Sequence, residues 1–294
     1  MENKDFKIII NSKHKMLDLH IRETFHYFYL ILLFVKRDFT TKYKQTLFGP
    51  LWALIQPLLT TLVFTFVFGT LAGLATSDTP DLLTVPGFLF YMSGTIIFGL
   101  FSSNVASVSR VFIANKHTMG KVYYPRFVQP IATSLFNLLS FGIQFLLFFF
   151  VWLGFLISGT TNIAITPWLC FLPVVIIQTL IFSMGVGMII ASVTTKYRDL
   201  QMLVSFGLQL WQYASPVAYG LLLITQNEKF SELVPWYLSL NPMSTVITTF
   251  RYAMFGTGYF DIMYYLIGVA LSLIIFFIGL LLFSKTERNF MDTI

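Results

Sequence analysis

Six long apolar segments constrain this chain more than any other feature of its sequence. They cover residues 51–75, 85–109, 128–157, 167–193, 200–224 and 262–283. None contains Asp, Glu, Lys, Arg or His, and each exceeds the roughly 20 residues that a helix needs to cross a bilayer. Only 11% of the residues are charged, against about 25% in a typical soluble domain. The sequence therefore predicts an all-α membrane protein with six transmembrane helices.

The positive charges predict the orientation of these spans. With both termini in the cytoplasm, the cytoplasmic segments are 1–50, 110–127, 194–199 and 284–294. These segments hold 17 of the 19 Lys and Arg residues, and only Lys229 and Arg251 fall outside. Lys and Arg accumulate in cytoplasmic loops, so we expect a multi-pass protein with both termini cytoplasmic. The net charge of +6 follows this topology and does not indicate a nucleic-acid partner.

The residues before the first span have a helical period of their own, over 23–47. One face carries Phe25, Phe28, Leu32, Val35, Phe39 and Tyr43, and another carries Lys36, Arg37, Thr40, Thr41 and Lys44. This pattern is typical of an amphipathic helix in the membrane interface, which serves either as an anchor or as a partner contact. Gly49-Pro50 predicts the turn into the first span. The polar residues 1–22 are interpreted as a cytoplasmic N-terminal arm without an assigned role.

The absence of ionisable side chains from the spans argues against two classes of membrane protein. Ion-driven transporters carry such groups at membrane depth, and enzymes need acids, bases or metal ligands. The sequence also contains no G-x-x-x-x-G-K-[ST] phosphate loop. Its single cysteine, Cys170, lies in an apolar run. We predict no catalytic residue, metal site or cofactor in this chain, so that any driving energy comes from elsewhere.

Polar residues recur at helical spacing in two spans. The stripe of the third span is Thr133, Asn137, Ser140 and Gln144. The stripe of the fifth span is Ser205, Gln209, Gln212 and Pro216, with Trp211, Tyr213 and Tyr219 nearby. Hydrogen bonding between helices explains the first stripe best. In the second, denser amides and aromatic rings favour the wall of a polar conduit.

Two connections are too rich in sequence signals to be simple links. The inner loop 110–127 has four cations and no acid among apolar residues, and it either touches anionic lipid or docks a cytoplasmic partner. The outer segment 225–261 has two apolar pieces on either side of Asn241-Pro242, and Gly256 follows the second. Asn, Pro and Gly at these positions start and stop a helix. We predict re-entrant helices here, with their turn buried in protein.

Four sequence pieces, in this order, resemble a known family. They are RDFTTKYKQTLFGPLWALIQPLL at 37–59, KYRDL at 196–200, SPV at 215–217 and LNPMSTVITTFRYAMFG at 240–256. Together with the six spans, they are similar to the permease subunits of type-2 ABC exporters for polysaccharides, which move O-antigen, capsule or teichoic acid. The resemblance runs from about residue 22 to the C-terminus, so that residues 23–294 form one transmembrane domain.

The resemblance implies partners, a location and a substrate. It implies a homodimer in the bacterial cytoplasmic (inner) membrane, bound to two copies of a separate ABC ATPase that holds ATP and Mg²⁺. The interface helix and the inner loop would contact the ATPase, and the re-entrant helices would gate the exit. The substrate would be a glycan on a polyprenyl pyrophosphate or a similar lipid. An uncharged aromatic channel suits a glycan, because sugar C–H faces lie on Trp and Tyr while amides bond the hydroxyls.

The candidate residues form four groups. The substrate pathway comprises Trp52, Gln56, Gln209, Trp211, Gln212, Tyr213 and Tyr219. The pyrophosphate headgroup would meet Lys36, Arg37, Lys42, Lys44 and Arg110. ATPase coupling is assigned to Phe112, Met119, Tyr123 and Tyr124, and the outer gate to Trp236, Asn241, Pro242 and Arg251.

Two alternative functions stay open from the sequence. The same fold could export a drug, a lipid or teichoic acid. A passive channel or membrane scaffold would need no ATPase, and copurification with a nucleotide-binding partner would separate it from both exporters.

Overall fold

The computed structural model describes residues 24, 26–44, 46–73, 85–115, 124–125, 127–159, 165–197, 199–225 and 232–290. Within these ranges the regular elements are all helices. They are α1 (Phe28–Tyr43), α2 (Trp52–Phe64), α3 (Gly87–Val108), α4 (Val111–Ala114), α5 (Val128–Ser158), α6 (Leu172–Thr194), α7 (Leu200–Ala214), α8 (Leu221–Thr225), α9 (Val234–Leu240), α10 (Pro242–Phe255) and α11 (Ile262–Phe290). The predicted arm 1–22 lies outside the described residues.

Five stretches of this fold are long and apolar enough to cross a membrane. They are Gly49–Leu71, Gly87–Val108, Val128–Ser158, Pro167–Thr194 and Ile262–Glu287. The first includes a 3-10 turn before α2 and a π-helical stretch after it, and the fourth begins with a 3-10 turn before α6. These stretches match five of the six predicted spans, with ends shifted by a few residues.

The predicted fifth span, 200–224, is not one continuous helix, which corrects the expectation. α7 ends at Ala214 and α8 begins at Leu221. Pro216 lies between them, and proline lacks the N–H that a continuing helix needs. With 15 residues, α7 is about 22 Å long, shorter than the hydrocarbon core of about 30 Å. A membrane crossing by residues 200–224 would need both pieces, so the fifth of the six expected spans stays a prediction.

α3 is the central helix of the bundle. It packs against α2, α5, α6, α7 and α10, and buries 15 of its 22 residues. A helix that is apolar on all sides is either buried in protein or faces lipid, and α3 is buried in protein. α2, by contrast, leaves Leu59, Leu62 and Val63 more than half exposed. α3 therefore lies at the centre of the helix packing, and α2 lies at its edge.

α1 occupies the middle of the predicted interface helix. Lys36, Arg37, Thr40, Thr41 and Lys44 are all exposed, as predicted. Only part of the predicted apolar face packs against protein, where Val35 and Tyr43 are buried. Phe28 and Leu32 are 55% and 46% exposed, whereas Ile31 and Phe34 are buried where α1 packs on α5. The helix is apolar around most of its N-terminal half, and its tertiary neighbour selects the face. Its position in a membrane interface stays a prediction.

The outer segment has the helix ends that its sequence predicts. The side chain of Asn241 accepts a hydrogen bond from the Met243 N–H at 3.2 Å, with Pro242 in the first turn. Gly256 ends α10 with φ 71°, a conformation that glycine adopts without steric cost. Every residue of α10 except Tyr252 is buried. This burial meets the requirement for a re-entrant helix, although its membrane depth stays a prediction.

Glycines allow α6 and α11 to pack backbone to backbone. A Cβ atom at Gly185 would lie 2.7 Å from the Cα atom of Phe276, and a Cβ at Gly279 would overlap the Gly185 carbonyl oxygen. Small residues commonly allow such close approach between membrane helices.

Replacing Gly185 with alanine is expected to lower the thermal unfolding midpoint of the detergent-solubilised protein. Overpacking a tight contact costs about 1–3 kcal/mol, more than alanine gains in helix propensity. Gly142→Ala in α5 is the matched control, because a Cβ there meets no atom within 4 Å. Equal midpoints for the two variants would contradict the close packing of α6 on α11.

Candidate substrate site and gate

Arg251 joins three parts of the fold at the predicted outer end of the bundle. From α10, its guanidinium donates to the carbonyls of Pro216 and Val217 at 2.6 and 2.9 Å. It also donates to the Phe90 carbonyl at 3.3 Å and to Ser93 Oγ at 3.2 Å in α3. Its Cζ atom lies 3.6 Å from the centroid of the Phe90 ring. The side chain is only 5% exposed, so it acts as a buried clamp.

The clamp follows from the break after α7. A helix end leaves carbonyls without intrahelical donors, and Pro216 prevents the chain from continuing as a helix. An arginine offers five N–H donors in a planar fork, which suits a cluster of such acceptors. Gly94 faces the same space, since a Cβ there would lie 2.6 Å from Nη2 of Arg251. The S-P-V piece and Arg251 therefore form one structural unit.

A second set of hydrogen bonds joins the end of α7 to α9 and α10. Trp211 Nε1 donates to Asn241 Oδ1 at 3.0 Å, and Asn241 Nδ2 donates to Ser215 Oγ at 3.2 Å. The Tyr237 hydroxyl donates to the Ala214 carbonyl at 2.8 Å. Burial raises the pKa of Tyr237 well above its usual range.

Only some of the predicted pathway and gate residues lie together in the structure. Trp211 and Tyr219 lie in this outer cluster with Asn241 and Arg251, and the hydroxyls of Tyr219 and Tyr237 are 3.0 Å apart. Pro242 is buried at the start of α10. The remaining predicted residues of α7 and α9 lie away from the cluster. Gln209, Tyr213 and Trp236 are exposed, and Gln212 is half-buried.

A cavity of about 330 Å³ lies near the predicted cytoplasmic side, between α1, α2, α3 and α5. It brings together the predicted pathway residues Trp52 and Gln56 and the predicted headgroup residue Lys42. Its polar lining from α5 consists of Asn137, Ser140 and Gln144. The other predicted headgroup residues, Lys36, Arg37, Lys44 and Arg110, are exposed and do not line it.

The stripe of α5 serves two purposes. Asn137 donates to Asn104 Oδ1 at 3.2 Å, and Asn104 donates to Ser183 Oγ at 2.7 Å. The interpretation of this stripe as interhelical hydrogen bonding is confirmed for Asn137. The Ser140 hydroxyl also lies 3.5 Å from that of Tyr43 in α1, and Asn137, Ser140 and Gln144 all line the cavity. Asn104 was not among the predicted site residues, although a single amide within an apolar span was a signal for it.

The predicted coupling residues that the structure describes are buried within this chain. Phe112 is 1% exposed and stacks on Phe283 of α11, with ring centroids 4.4 Å apart. Tyr124 is 4% exposed and packs on Phe34 of α1 at 5.6 Å. These rings join the inner loop to α1 and α11, and their contact with a partner stays a prediction. Met119 and Tyr123 lie outside the described residues.

Among the described residues, no group of three or more His, Cys, Asp and Glu side chains is placed to hold a metal ion. The polar chemistry of the two sites consists of amides, hydroxyls, phenols, a lysine and a buried arginine. Such groups can bind and orient a ligand through hydrogen bonds.

The comparisons with known proteins agree with this architecture. Two relatives from Klebsiella pneumoniae, each named O-antigen export system permease protein RfbA, are both 28% identical to this chain, covering 90% of it and 95% of the relative. A relative of the same name from Myxococcus xanthus is 26% identical over 93% of this chain and 98% of its own length. The family model described as ABC-2 type transporter matches residues 29–255, well over half of the chain. This chain belongs to the ABC-2 type transporter family.

Proposed function

We propose that this chain is the transmembrane subunit of an ATP-driven exporter that moves a lipid-linked polysaccharide, similar to O-antigen, across the bacterial cytoplasmic membrane. Two copies of the chain form the pathway, and two copies of a separate ABC ATPase supply the energy. The observation that carries this proposal is the similarity to O-antigen export permeases over nearly their whole length.

The exposed faces of α2 and α7 support a dimer with the pathway between protomers. On α7, Met202, Leu203, Phe206 and Leu210 are all more than half exposed. Tyr213 of α7 stacks on Phe64 of α2, with ring planes 5° apart, so the two helices form a joint aromatic and amide surface. A second copy would cover the apolar part of this surface and leave Gln209, Gln212 and Tyr213 for the glycan.

The contacts of α1 suggest how an ATPase would act on this pathway. α1 packs on α5 and, through the ring contact of Phe34 with Tyr124, touches the inner loop. Arg37 also donates to Asn115 Oδ1 at 3.2 Å. A push on either α1 or the inner loop therefore reaches the other. Closure of the ATPase subunits on ATP would move this unit and open the pathway between α2 and α7.

The test compares a strain that lacks this gene with the same strain after complementation with this chain and its ATPase. We expect the deletion strain to lose surface polysaccharide and to accumulate lipid-linked glycan on the cytoplasmic face of the membrane. Export should return with both subunits, and fail with an ATPase that binds but does not hydrolyse ATP. The purified chain alone should hydrolyse no ATP, because its sequence has no phosphate loop.

Two results would overturn this function. Hydrolysis of ATP by the pure chain would contradict the separate energy source. Normal surface polysaccharide in the deletion strain, together with loss of resistance to a drug, would favour an exporter of a different cargo.

A further inference from the structure

The cavity beneath the end of α1 has the size and lining of a ligand site. Its volume of about 330 Å³ is at the lower end of the roughly 300–1,000 Å³ typical of small-molecule pockets. It has aromatic walls from Tyr43, Trp52 and Phe141, and polar groups from α2 and α5. Pockets of this kind bind a ligand by apolar contact and orient it through a few polar groups.

The electrostatics of the cavity favour an anionic group at its rim. Among the described residues that line it, Lys42 is the one cation and none is acidic. The Lys42 ammonium lies 5.2 Å from the ring centroid of Phe136 and 5.4 Å from that of Tyr43. Attraction to the ring faces keeps the ammonium at the rim, where it can pair with a phosphate.

The deeper part of the cavity suits hydroxyl groups. Asn137, Ser140 and Gln144 are spaced by three and four residues, so they share one face of α5 and cover about 10 Å along it. Gln56 faces them from α2. Amides both donate and accept hydrogen bonds, as the hydroxyls of a sugar require, and the ring of Trp52 offers a face for sugar C–H groups.

We propose that this cavity is a loading site for a phosphate-bearing lipid headgroup with its first sugar. The phosphate lies at Lys42, the sugar lies between Gln56, Asn137 and Gln144, and the hydrocarbon tail stays in the membrane. This assignment rests on the proposed export function. It adds the polar stripe of α5 to the substrate contacts and separates a loading site within one chain from the pathway between α2 and α7.

The test measures binding of a labelled short-chain polyprenyl diphosphate with one attached hexose to the permease–ATPase complex in nanodiscs. Gly99 lines the cavity, and a Cβ at this position meets no atom within 4 Å. Gly99→Met should therefore fill the cavity without disturbing the backbone, and reduce affinity at least tenfold, equivalent to about 1.4 kcal/mol. Gly142→Met is the matched control, because Gly142 is equally uncrowded and does not line the cavity.

Two further variants separate the phosphate from the sugar. Lys42→Gln should lower the affinity for the probe and for the same diphosphate without a hexose to a similar extent. Gln144→Leu should lower the affinity only for the hexose-bearing probe. Phosphatidylglycerol, which offers a phosphate on an ordinary lipid, should compete poorly with the hexose-bearing probe.

Several results would overturn the loading site. Unchanged binding to Gly99→Met would place the ligand elsewhere and leave the export function intact. Equal competition by phosphatidylglycerol, or an equal loss for both diphosphates in Gln144→Leu, would reduce the cavity to a general phospholipid site. Failure of the wild-type complex to bind the probe, with normal surface polysaccharide in the deletion strain, would refute the export function itself.

Discussion

Arg251→Leu is expected to remove most of the folded protein from the membrane. The variant leaves the carbonyls of Pro216 and Val217 without the donors that Arg251 provides, whereas the Phe90 carbonyl still accepts a hydrogen bond from Ser93 Oγ. Each buried polar group that loses its partner costs about 1–3 kcal/mol. We therefore expect a loss of roughly 2 kcal/mol or more, out of the 5–15 kcal/mol that stabilises a typical protein.

The measurement is the amount of monodisperse protein after detergent extraction, together with its thermal unfolding midpoint. Arg110→Leu is the control, since it removes the same side chain from an exposed position and should leave both quantities near wild type. Arg251→Lys should fall between them, because a lysine ammonium has three donors and lacks the planar fork of arginine. A normal yield and midpoint for Arg251→Leu would mean that the clamp does not stabilise the fold.

The features that sequence predicts well here depend on neighbouring residues. Span lengths follow from local hydropathy, and the ends of α10 follow from Asn241, Pro242 and Gly256, whose capping chemistry acts within one helical turn. The break after Ala214 was also a local feature. It was missed because the apolar run through 200–224 outweighed the signal of Pro216, although proline within a helix removes a hydrogen bond.

The features that sequence predicts poorly depend on distant residues. Arg251 meets Phe90, which is 161 positions away, and no periodicity in either segment indicates that contact. The buried face of α1 is a similar case. Several of its faces are apolar, and packing on α5 selects the one with Ile31 and Phe34. The five cations predicted to bind the headgroup are a further case. Only Lys42 lines the cavity that α1, α2 and α5 enclose, and this depends on how the helices pack.

The second large effect concerns the predicted outer gate. If α9 and α10 move away from the end of α7 during export, a covalent link across this contact should stop transport. Asn241 Nδ2 and Ser215 Oγ are 3.2 Å apart, so these two side chains face each other across the contact, and a cysteine pair here can be tested for a disulfide, which needs Cβ atoms about 3.5–4.5 Å apart. The background variant is Cys170→Ser, because Cys170 is an exposed free thiol.

Oxidation of the Ser215→Cys/Asn241→Cys protein is expected to abolish export, and a reductant should restore it. A conformational change driven by ATP separates groups held by hydrogen bonds but leaves a disulfide intact, so a gate that must open here stays closed. Each single cysteine variant, treated with the same oxidant, controls for damage and for loss of the Asn241 cap on α10. Complex assembly and ATP binding should be unchanged, since the link lies at the end of the fold opposite the inner loop. Export at the wild-type rate with the disulfide fully formed would show that α7 and α10 stay together during transport, and the outer gate would then have to lie elsewhere.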